Sequence, residues 1–397
     1  WYNLKMSTAK TVATTPAEIL DSILQIAIDN RASDIHFEPE RDGFKVRFRI
    51  DGILHSIDTL SSEVQEQITS RIKIVSHMDI VEHRLPKDGH FEFPYNNAIY
   101  NVRVSTMPEL YGENVVFRIH GIHEVVHKLE NIGLEPEQLI LLKALIKSPS
   151  GMILVTGPTG AGKTDFIYAI LQDLSSEEKN IITLEDPVEY QLEGIRQTSI
   201  GDSPGLTFAA AMRSVLRQDP DIIMLGEIRD DETALLAIQA SLSGILLFST
   251  FHTFDLPALV NRLVEMNVAR SIVAQSIRGV VSVRLVRKIC DKCKETVAPT
   301  KEQQAFMPAE LVNNTFYRGR GCGDCKNLGY NDRIGIFEIV EVDDELRASI
   351  FDSRPSAEIL EMMRKKNVIS LRTAGFEKAK KGVTTIDEVL RVVGYLR

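Results

Sequence analysis

The chain has 397 residues, of which 44% are hydrophobic and 25% charged, and this ordinary globular composition predicts about two to three domains. Its formal net charge of −9 disfavours sequence-independent binding to nucleic acid, which requires a basic face, so no direct contact with nucleic acid is expected. No stretch approaches the roughly 18 consecutive apolar residues of a membrane-spanning helix, and the first residues lack the apolar core of a signal peptide. A cytoplasmic location is therefore predicted.

Residues 1–122 predict a small α+β domain. Its first helix follows Thr14-Thr15-Pro16 and repeats apolar residues at helical spacing, whereas residues 44–50 alternate apolar and basic side chains as a half-exposed strand does. Asp51-Gly52 supplies the turn of a hairpin. The predicted elements are a helix over 16–30, hairpin strands over 44–50 and 53–57, a helix at about 62–77, and strands over 100–104 and 115–119.

After a linker at 123–135, helices alternate with short, continuous apolar strands, which predicts an α/β domain over 136–397. Such strands are buried on both faces of a mainly parallel sheet, and a ligand site is expected at their carboxyl ends. The domain should carry a cysteine-bearing insert at 288–333 and a largely helical tail at 336–397. The predicted strands cover 152–155, 181–184, 222–225 and 245–248.

The first of these strands leads into a sequence that fits the phosphate-binding pattern G-x-x-x-x-G-K-[ST] at every position. A glycine-rich turn between a strand and a helix points several backbone N–H groups at one spot, and the helix N-terminus adds partial positive charge. Lys163 is expected to reach the β- and γ-phosphates of a nucleotide, and Thr164 to bind Mg²⁺. The predicted nucleotide-binding residues are Gly157, Pro158, Thr159, Gly160, Ala161, Gly162, Lys163, Thr164 and Asp165.

Two glutamates and a histidine follow neighbouring strands at the same edge of the predicted sheet: Glu185, Glu227 and His252. Hydrolysis of a nucleoside triphosphate needs Mg²⁺ held against the phosphates and a water oriented in line, and strand-end carboxylates can do both tasks. We favour Glu227 as the principal catalytic carboxylate and Glu185 as its partner, but the sequence leaves the division of these tasks open. His252 is predicted to sense the γ-phosphate or the water, with a structural histidine as the alternative.

All four cysteines lie in two C-x-x-C pairs: Cys290 with Cys293, and Cys322 with Cys325. Two such knuckles supply the four sulfur ligands of a closed structural Zn²⁺ site, in which no position remains for a catalytic water. The alternative is a pair of disulfides, which a reducing cytosol disfavours.

Further motifs complete a pattern that resembles the secretion-superfamily ATPases, most of all the type IV pilus assembly (extension) ATPases and the type II secretion ATPases. The resemblance spans about residues 15–395 and includes the four-cysteine insert, which the retraction branch of this superfamily lacks. It rests on residues 32–39, an aspartate box at 183–189, residues 205–221, a Walker B stretch at 226–230 and a histidine box at 243–255.

The resemblance implies a RecA-like P-loop NTPase domain, preceded by a PAS-like α+β domain, that hydrolyses ATP with Mg²⁺. It implies a homo-hexamer at the cytoplasmic face of the inner membrane, associated with the membrane through its partners, that turns a membrane platform protein. In such motors arginines of an N-terminal domain complete the ATP site, and Arg103 and Arg118 match those positions. The alternative for these two residues is that they are merely exposed strand arginines.

The chain departs from the family pattern at several positions. Asp165 replaces the usual Thr or Ser after the phosphate loop, Ile245 replaces a histidine, and Phe251 and Phe254 replace Leu and Asn. An acid beside bound phosphates opposes their charge, although the first turn of a helix also suits an acid. The replacements at Asp165 and Ile245 leave open a nucleotide-binding assembly subunit with little turnover. A DNA-uptake or conjugation ATPase of the same superfamily, which differs in the substrate moved, is a further alternative.

Overall fold

The computed structural model describes residues 15–121, 128–201 and 205–394. The lead-in to about residue 14 and the part of the predicted linker at 123–127 lie outside the described residues. The chain forms two compact units, Trp1–Val125 and Val126–Arg397.

In its described residues, the N-terminal unit is an antiparallel sheet with two helices. Its first helix begins where the sequence predicts, because Thr15 and Glu18 form a capping box and Pro16 occupies the first turn. The sheet has the strand order β3-β2-β1-β6-β5-β4. The elements are α1 (Pro16–Asp29), β1 (Ala32–Glu40), β2 (Gly43–Ile50), β3 (Ile53–Leu60), α2 (Ser62–Val75), β4 (Lys87–Tyr95), β5 (Ala98–Glu109) and β6 (Gly112–His120).

The second unit has helices on both faces of a large sheet. Its helices are α3 (Pro136–Leu145), α4 (Lys163–Leu174), α5 (Phe208–Val215), α6 (Asp231–Leu242), α7 (Leu256–Glu265), α8 (Arg270–Ser276), α9 (Lys301–Gln304), α10 (Asp344–Phe351), α11 (Ser356–Lys365), α12 (Leu371–Lys380) and α13 (Ile386–Val393). Its strands are β7 (Gly151–Thr156), β8 (Ile181–Glu185), β9 (Arg196–Ser199), β10 (Ile222–Glu227), β11 (Leu246–Phe251), β12 (Ile277–Ile289), β13 (Lys294–Val297), β14 (Phe316–Gly319) and β15 (Tyr330–Glu341).

The large sheet has the strand order β15-β12-β7-β11-β10-β8-β9, and only the pairing of β12 with β15 is antiparallel. Strand β7 is buried along its whole length, with Met152 and Leu154 in one core cluster and Ile153 and Val155 in another. These alternating contacts place one apolar core on each face of the sheet. The predicted α/β fold with a mainly parallel sheet is confirmed.

Two predictions of the boundaries need correction. Residues 336–341 are not part of a helical tail, because they belong to β15, and the tail helices begin at Asp344. The second half of the predicted linker is an ordered part of the second unit. Leu129 is only 1% exposed, and Glu135 caps α3 and accepts a hydrogen bond of 2.9 Å from Lys378 of α12.

Candidate functional site

The phosphate loop connects the end of β7 to the start of α4, as the sequence predicts. Gly160 and Gly162 have φ angles of 74° and 83°, a left-handed conformation that favours glycine. Gly162 is the N-cap of α4, so the helix begins at Lys163, and its first N–H groups lie at the loop. The loop therefore has the strand–turn–helix context that phosphate binding requires.

Lys163 is folded back onto the loop. Its Nζ donates hydrogen bonds to the carbonyl oxygens of Gly157 at 2.8 Å and Pro158 at 3.0 Å, and it lies 3.5 Å from His252 Nδ1. Burial lowers the pKa of Lys163 to about 8, against the attraction of Glu227. An anion bound at the loop would stabilise the charged form of this lysine.

Glu227 and His252 lie together beside this lysine. His252 Nε2 is 3.8 Å from Glu227 Oε2, and the other carboxylate oxygen accepts a hydrogen bond from Arg229. The same arginine donates to Asp186 Oδ2 at 3.2 Å. Burial and the charge of Lys163 lower the pKa of His252, which favours its neutral form near pH 7. The structure thus brings three predicted residues to one place in the order Lys163, His252, Glu227.

Glu185 has different surroundings, since it is only 2% exposed and its oxygens are already hydrogen-bonded. Tyr168 of α4 donates to Oε2, and Oε1 accepts from Thr183 Oγ1 at 2.6 Å and from Gln197 Nε2 at 3.3 Å. Burial raises the pKa of Glu185, and these hydrogen bonds oppose that rise. Glu227 is the more accessible of the two carboxylates, with a side chain that is 25% exposed.

The sequence does not single out several residues of this site as functional. Tyr168 lies in the apolar run of α4, where an aromatic residue normally indicates core packing. Asp186 and Arg229 lie in the motif stretches 183–189 and 226–230, but the sequence does not show that they are hydrogen-bonded to each other. Arg284 lies beside Gly157 from a strand that the sequence does not predict. Only the fold makes these residues neighbours of the phosphate loop.

The four cysteine sulfurs form one cluster, and all of them lie within 4.8 Å of one another. Cys290 Sγ is 3.8 Å from Cys322 Sγ, Cys293 Sγ is 3.8 Å from Cys325 Sγ, and Cys322 Sγ is 3.7 Å from Cys325 Sγ. Zn–S bonds of about 2.3 Å in a regular tetrahedron place sulfurs about 3.8 Å apart, whereas a disulfide needs about 2.05 Å. The cluster therefore fits a four-coordinate Zn²⁺ and does not contain disulfides.

Arg103 and Arg118 lie directly opposite each other on β5 and β6, and both are exposed. Arg118 Nε donates to Asp34 Oδ1 of β1 at 3.0 Å. The structure confirms that the two arginines are on adjacent strands. They belong to the N-terminal unit, whereas the phosphate loop belongs to the second unit.

The sequence profile of the family described as Type II/IV secretion system protein matches residues 10–391. The chain belongs to this family. It is 40% identical over 376 residues to the type IV pilus assembly ATPase PilB of Thermus thermophilus, a match that covers 94% of this chain and 42% of that protein. It is also 40% identical over 375 residues to the type II secretion system protein E of Pseudomonas aeruginosa, covering 94% of this chain and 74% of the relative.

Two solved structures have the same fold. The Legionella pneumophila ATPase DotB superposes with a TM-score of 0.69 at 19% identity and covers 97% of each chain. The pilus retraction motor PilT with bound ADP superposes with a TM-score of 0.61 at 22% identity, covering 94% of this chain and 96% of that one. The chain thus spans the full length of these structures but less than half of the Thermus relative.

Membership of the secretion family confirms the resemblance predicted from the motifs. The departures from the family pattern fall in different surroundings: Asp165 is exposed in the first turn of α4, Ile245 packs against a core cluster, Phe251 is buried, and Phe254 is 72% exposed. Three of the four replacements are therefore accommodated by the fold or by solvent, and Phe254 leaves an aromatic ring on the surface, two residues after His252.

Among the described helices, none combines the length and the apolar character that crossing a bilayer requires.

Proposed function

We propose that this chain is the motor portion of a hexameric ATPase that drives assembly of a type IV pilus or a type II secretion pseudopilus. The observation that supports it best is the cluster of Lys163, His252 and Glu227 at the phosphate loop. A buried cation at the loop and an accessible carboxylate are groups that in-line hydrolysis of a γ-phosphate uses, and a histidine of lowered pKa lies between them. The relatives named as pilus assembly and secretion proteins suggest the work to which hydrolysis is coupled.

In this proposal the loop N–H groups and Lys163 hold the phosphates of ATP. The Mg²⁺ ion, bound by the Thr164 hydroxyl, would neutralise phosphate charge, and oxygen ligands of this kind suit it. Glu227 accepts a hydrogen bond from the attacking water, and Arg229 fixes the orientation of that carboxylate. His252 stands between Lys163 and Glu227, where it can respond to the γ-phosphate.

Glu185 has a supporting role in this proposal. A carboxylate that already accepts three hydrogen bonds is poorly placed to turn toward a water, since doing so would leave buried donors unpaired. Through these hydrogen bonds Glu185 instead stabilises the end of β8, the strand that pairs with β10, which ends at Glu227.

The resemblance to the family suggests the remaining parts of the proposal, which are the subunit interface, the metal ion and the membrane partner. Arg103 and Arg118 act on the ATP of a neighbouring subunit in a homo-hexamer, and the four cysteines hold a structural Zn²⁺. The hexamer works in the cytoplasm at the inner face of the cytoplasmic membrane, where a membrane platform protein receives the motion. That location comes from the partner protein and not from a segment of the described chain.

The experiment that tests this function is phosphate release by the purified hexamer with Mg²⁺ and ATP. Lys163→Ala should nearly abolish turnover, and Glu227→Gln should bind ATP but turn over at least about a hundredfold more slowly. Lys179→Ala, which removes an exposed lysine of the same unit, is the matched control. Unchanged turnover in Lys163→Ala would reject the site.

A second candidate, a nucleotide-binding subunit with little turnover, is favoured by the acid at Asp165 beside Thr164. Phosphate release by the wild-type protein distinguishes the two functions, because a protein of either kind binds ATP and only the motor releases phosphate. The variant Asp165→Thr distinguishes them further: under the second candidate it should raise turnover, and under the first it should change little.

A further inference from the structure

Strand β12 brings a second cation to the phosphate loop. It runs parallel to β7 with Ser282 opposite Thr156, so the next residues of β12 lie beside Gly157, where the loop begins. A Cβ atom at Gly157 would lie 2.7 Å from the carbonyl oxygen of Val283 and 3.1 Å from Arg284 Nη1. The Arg284 guanidinium therefore lies next to the loop, and the close carbonyl oxygen of Val283 leaves no room for a side chain at Gly157.

Arg284 forms no close ion pair with a carboxylate among the residues that the structure describes. Its Nη1 donates a hydrogen bond to the carbonyl oxygen of Val283 at 2.8 Å. Glu338 of β15 attracts it from further away, and burial raises the pKa of that carboxyl to about 7. A half-buried cation whose nearest acid lies too far away for an ion pair is costly, and an anion at the loop would compensate it.

The position of β12 also indicates which part of the nucleotide this cation meets. Strands β11 and β12 flank β7 on opposite sides. Lys163 Nζ points to His252, which follows β11, so the γ-phosphate is expected on that side. Arg284 lies on the other side, where the phosphates nearer to the nucleoside would lie.

We propose that Arg284 is a nucleotide-binding residue whose guanidinium donates to the α- and β-phosphate oxygens, the part that ATP and ADP share. This inference rests on the proposed function of the site. The bond to Val283 uses one donor of the guanidinium, and its other N–H groups remain for an anion. Arginine suits this task because its planar fork matches phosphate oxygens and its charge persists when it is partly buried.

The test compares affinities for two ligands in the purified hexamer: ADP and the non-hydrolysable β,γ-imido analogue of ATP, each with Mg²⁺, by titration calorimetry. Arg284→Ala should weaken both by the same factor, about ten- to a hundredfold, which is the range for a lost charged hydrogen bond. Arg284→Lys should recover part of the lost affinity, because lysine restores the positive charge but lacks the planar guanidinium with its paired donors. Arg284→Gln can keep a donor for Val283, so it is the variant to measure if the alanine variant does not fold.

The matched control is Arg278→Ala. Arg278 lies on the same strand, packs against Gly151 at the other end of β7 and donates to the carbonyl oxygen of Ser150. It should change neither affinity. Thermal unfolding without nucleotide shows whether each variant is folded.

Three results would overturn the inference. If only the ATP analogue binds more weakly, the contact is to the γ-phosphate and the assignment is wrong. If folded Arg284 variants bind both ligands normally while Lys163→Ala does not, Arg284 is structural and the proposed function stands. If Lys163→Ala also binds both ligands normally, the nucleotide site itself is wrong, and the proposed function fails with the inference.

Discussion

Tyr168 donates its phenolic hydrogen to Glu185 Oε2, which joins the helix of the phosphate loop to the end of β8. The same hydroxyl oxygen accepts from Gln197 Nε2 at 3.3 Å and from the backbone N–H of Glu189 at 3.4 Å. Helix α4 is thus connected by hydrogen bonds to β8, β9 and the segment between them. That segment carries Asp186, which bonds Arg229 next to Glu227. A change at Tyr168 can therefore affect Glu227, the proposed catalytic carboxylate, without contacting the nucleotide.

Tyr168→Phe tests this connection. The substitution keeps the ring and leaves the buried Glu185 short of a donor, so the free energy of unfolding should fall by about 1–3 kcal/mol. Turnover at saturating ATP should fall, while the KM for ATP stays near its wild-type value, because Lys163 and the loop are untouched. Tyr190→Phe is the control, since it removes a hydroxyl from the neighbouring ring and leaves the donors to Glu185 in place. A KM that rises while kcat is unchanged would contradict a positioning role.

The pKa of Lys163 predicts how nucleotide affinity depends on pH. Burial lowers this pKa to about 8 in the nucleotide-free protein, and bound phosphates should raise it again. Binding therefore takes up protons at pH values above about 8, and affinity should fall as the pH rises, by up to about tenfold per pH unit. Calorimetric titration with ADP from pH 7 to pH 10, in buffers of different ionisation enthalpy, measures both effects.

Lys163→Arg is the control for that titration. A guanidinium stays charged throughout this range, so the slope with pH should disappear even if the affinity itself changes. An equal slope in this variant would assign the proton uptake to another group.

The sequence predicts some parts of this molecule well and others not at all. The phosphate loop and the cysteine pairs are local patterns, so Lys163 and Cys290 could be assigned without a structure. The sequence does not predict strand β12, because Arg278, Arg284 and Arg287 interrupt its apolar residues and a buried strand is recognised by a continuous apolar run. Tyr168 and Arg284 cannot be predicted in this way, because the residues that they contact, Glu185 and Gly157, lie far from them in the sequence.

The cysteine cluster predicts one Zn²⁺ per chain in protein purified without chelator, measured by elemental analysis. Cys322→Ser should lower the free energy of unfolding by more than about 4 kcal/mol, as loss of a metal site does, because zinc binding contributes directly to folding. Nucleotide affinity of the folded fraction should change little. Asp324→Asn alters an exposed residue of the same knuckle and should keep both metal and stability. Absence of zinc from the wild-type protein would contradict the assignment.

The pair of exposed arginines on β5 and β6 leads to the prediction that the active site is completed between subunits. Arg103→Ala should reduce turnover by about 10³-fold, because an arginine at the γ-phosphate stabilises the charge of the transition state, while ATP binding is largely retained. Arg47→Ala removes an arginine of the same sheet, paired with Glu38, and should leave turnover near wild type. Equal losses in both variants would indicate damage to the N-terminal unit.

Mixed hexamers decide whether the arginine acts on its own chain or on a neighbour. Lys163→Ala subunits keep Arg103 and lose the loop cation, whereas Arg103→Ala subunits keep the loop and lose the arginine. If the arginine acts across a subunit boundary, an Arg103→Ala loop that faces a Lys163→Ala neighbour forms a complete site, so mixing two inactive proteins should restore part of the activity. If it acts within its own chain, no mixture contains a complete site. Mixed hexamers that form, as native mass spectrometry can show, yet stay inactive at every ratio would reject action between subunits.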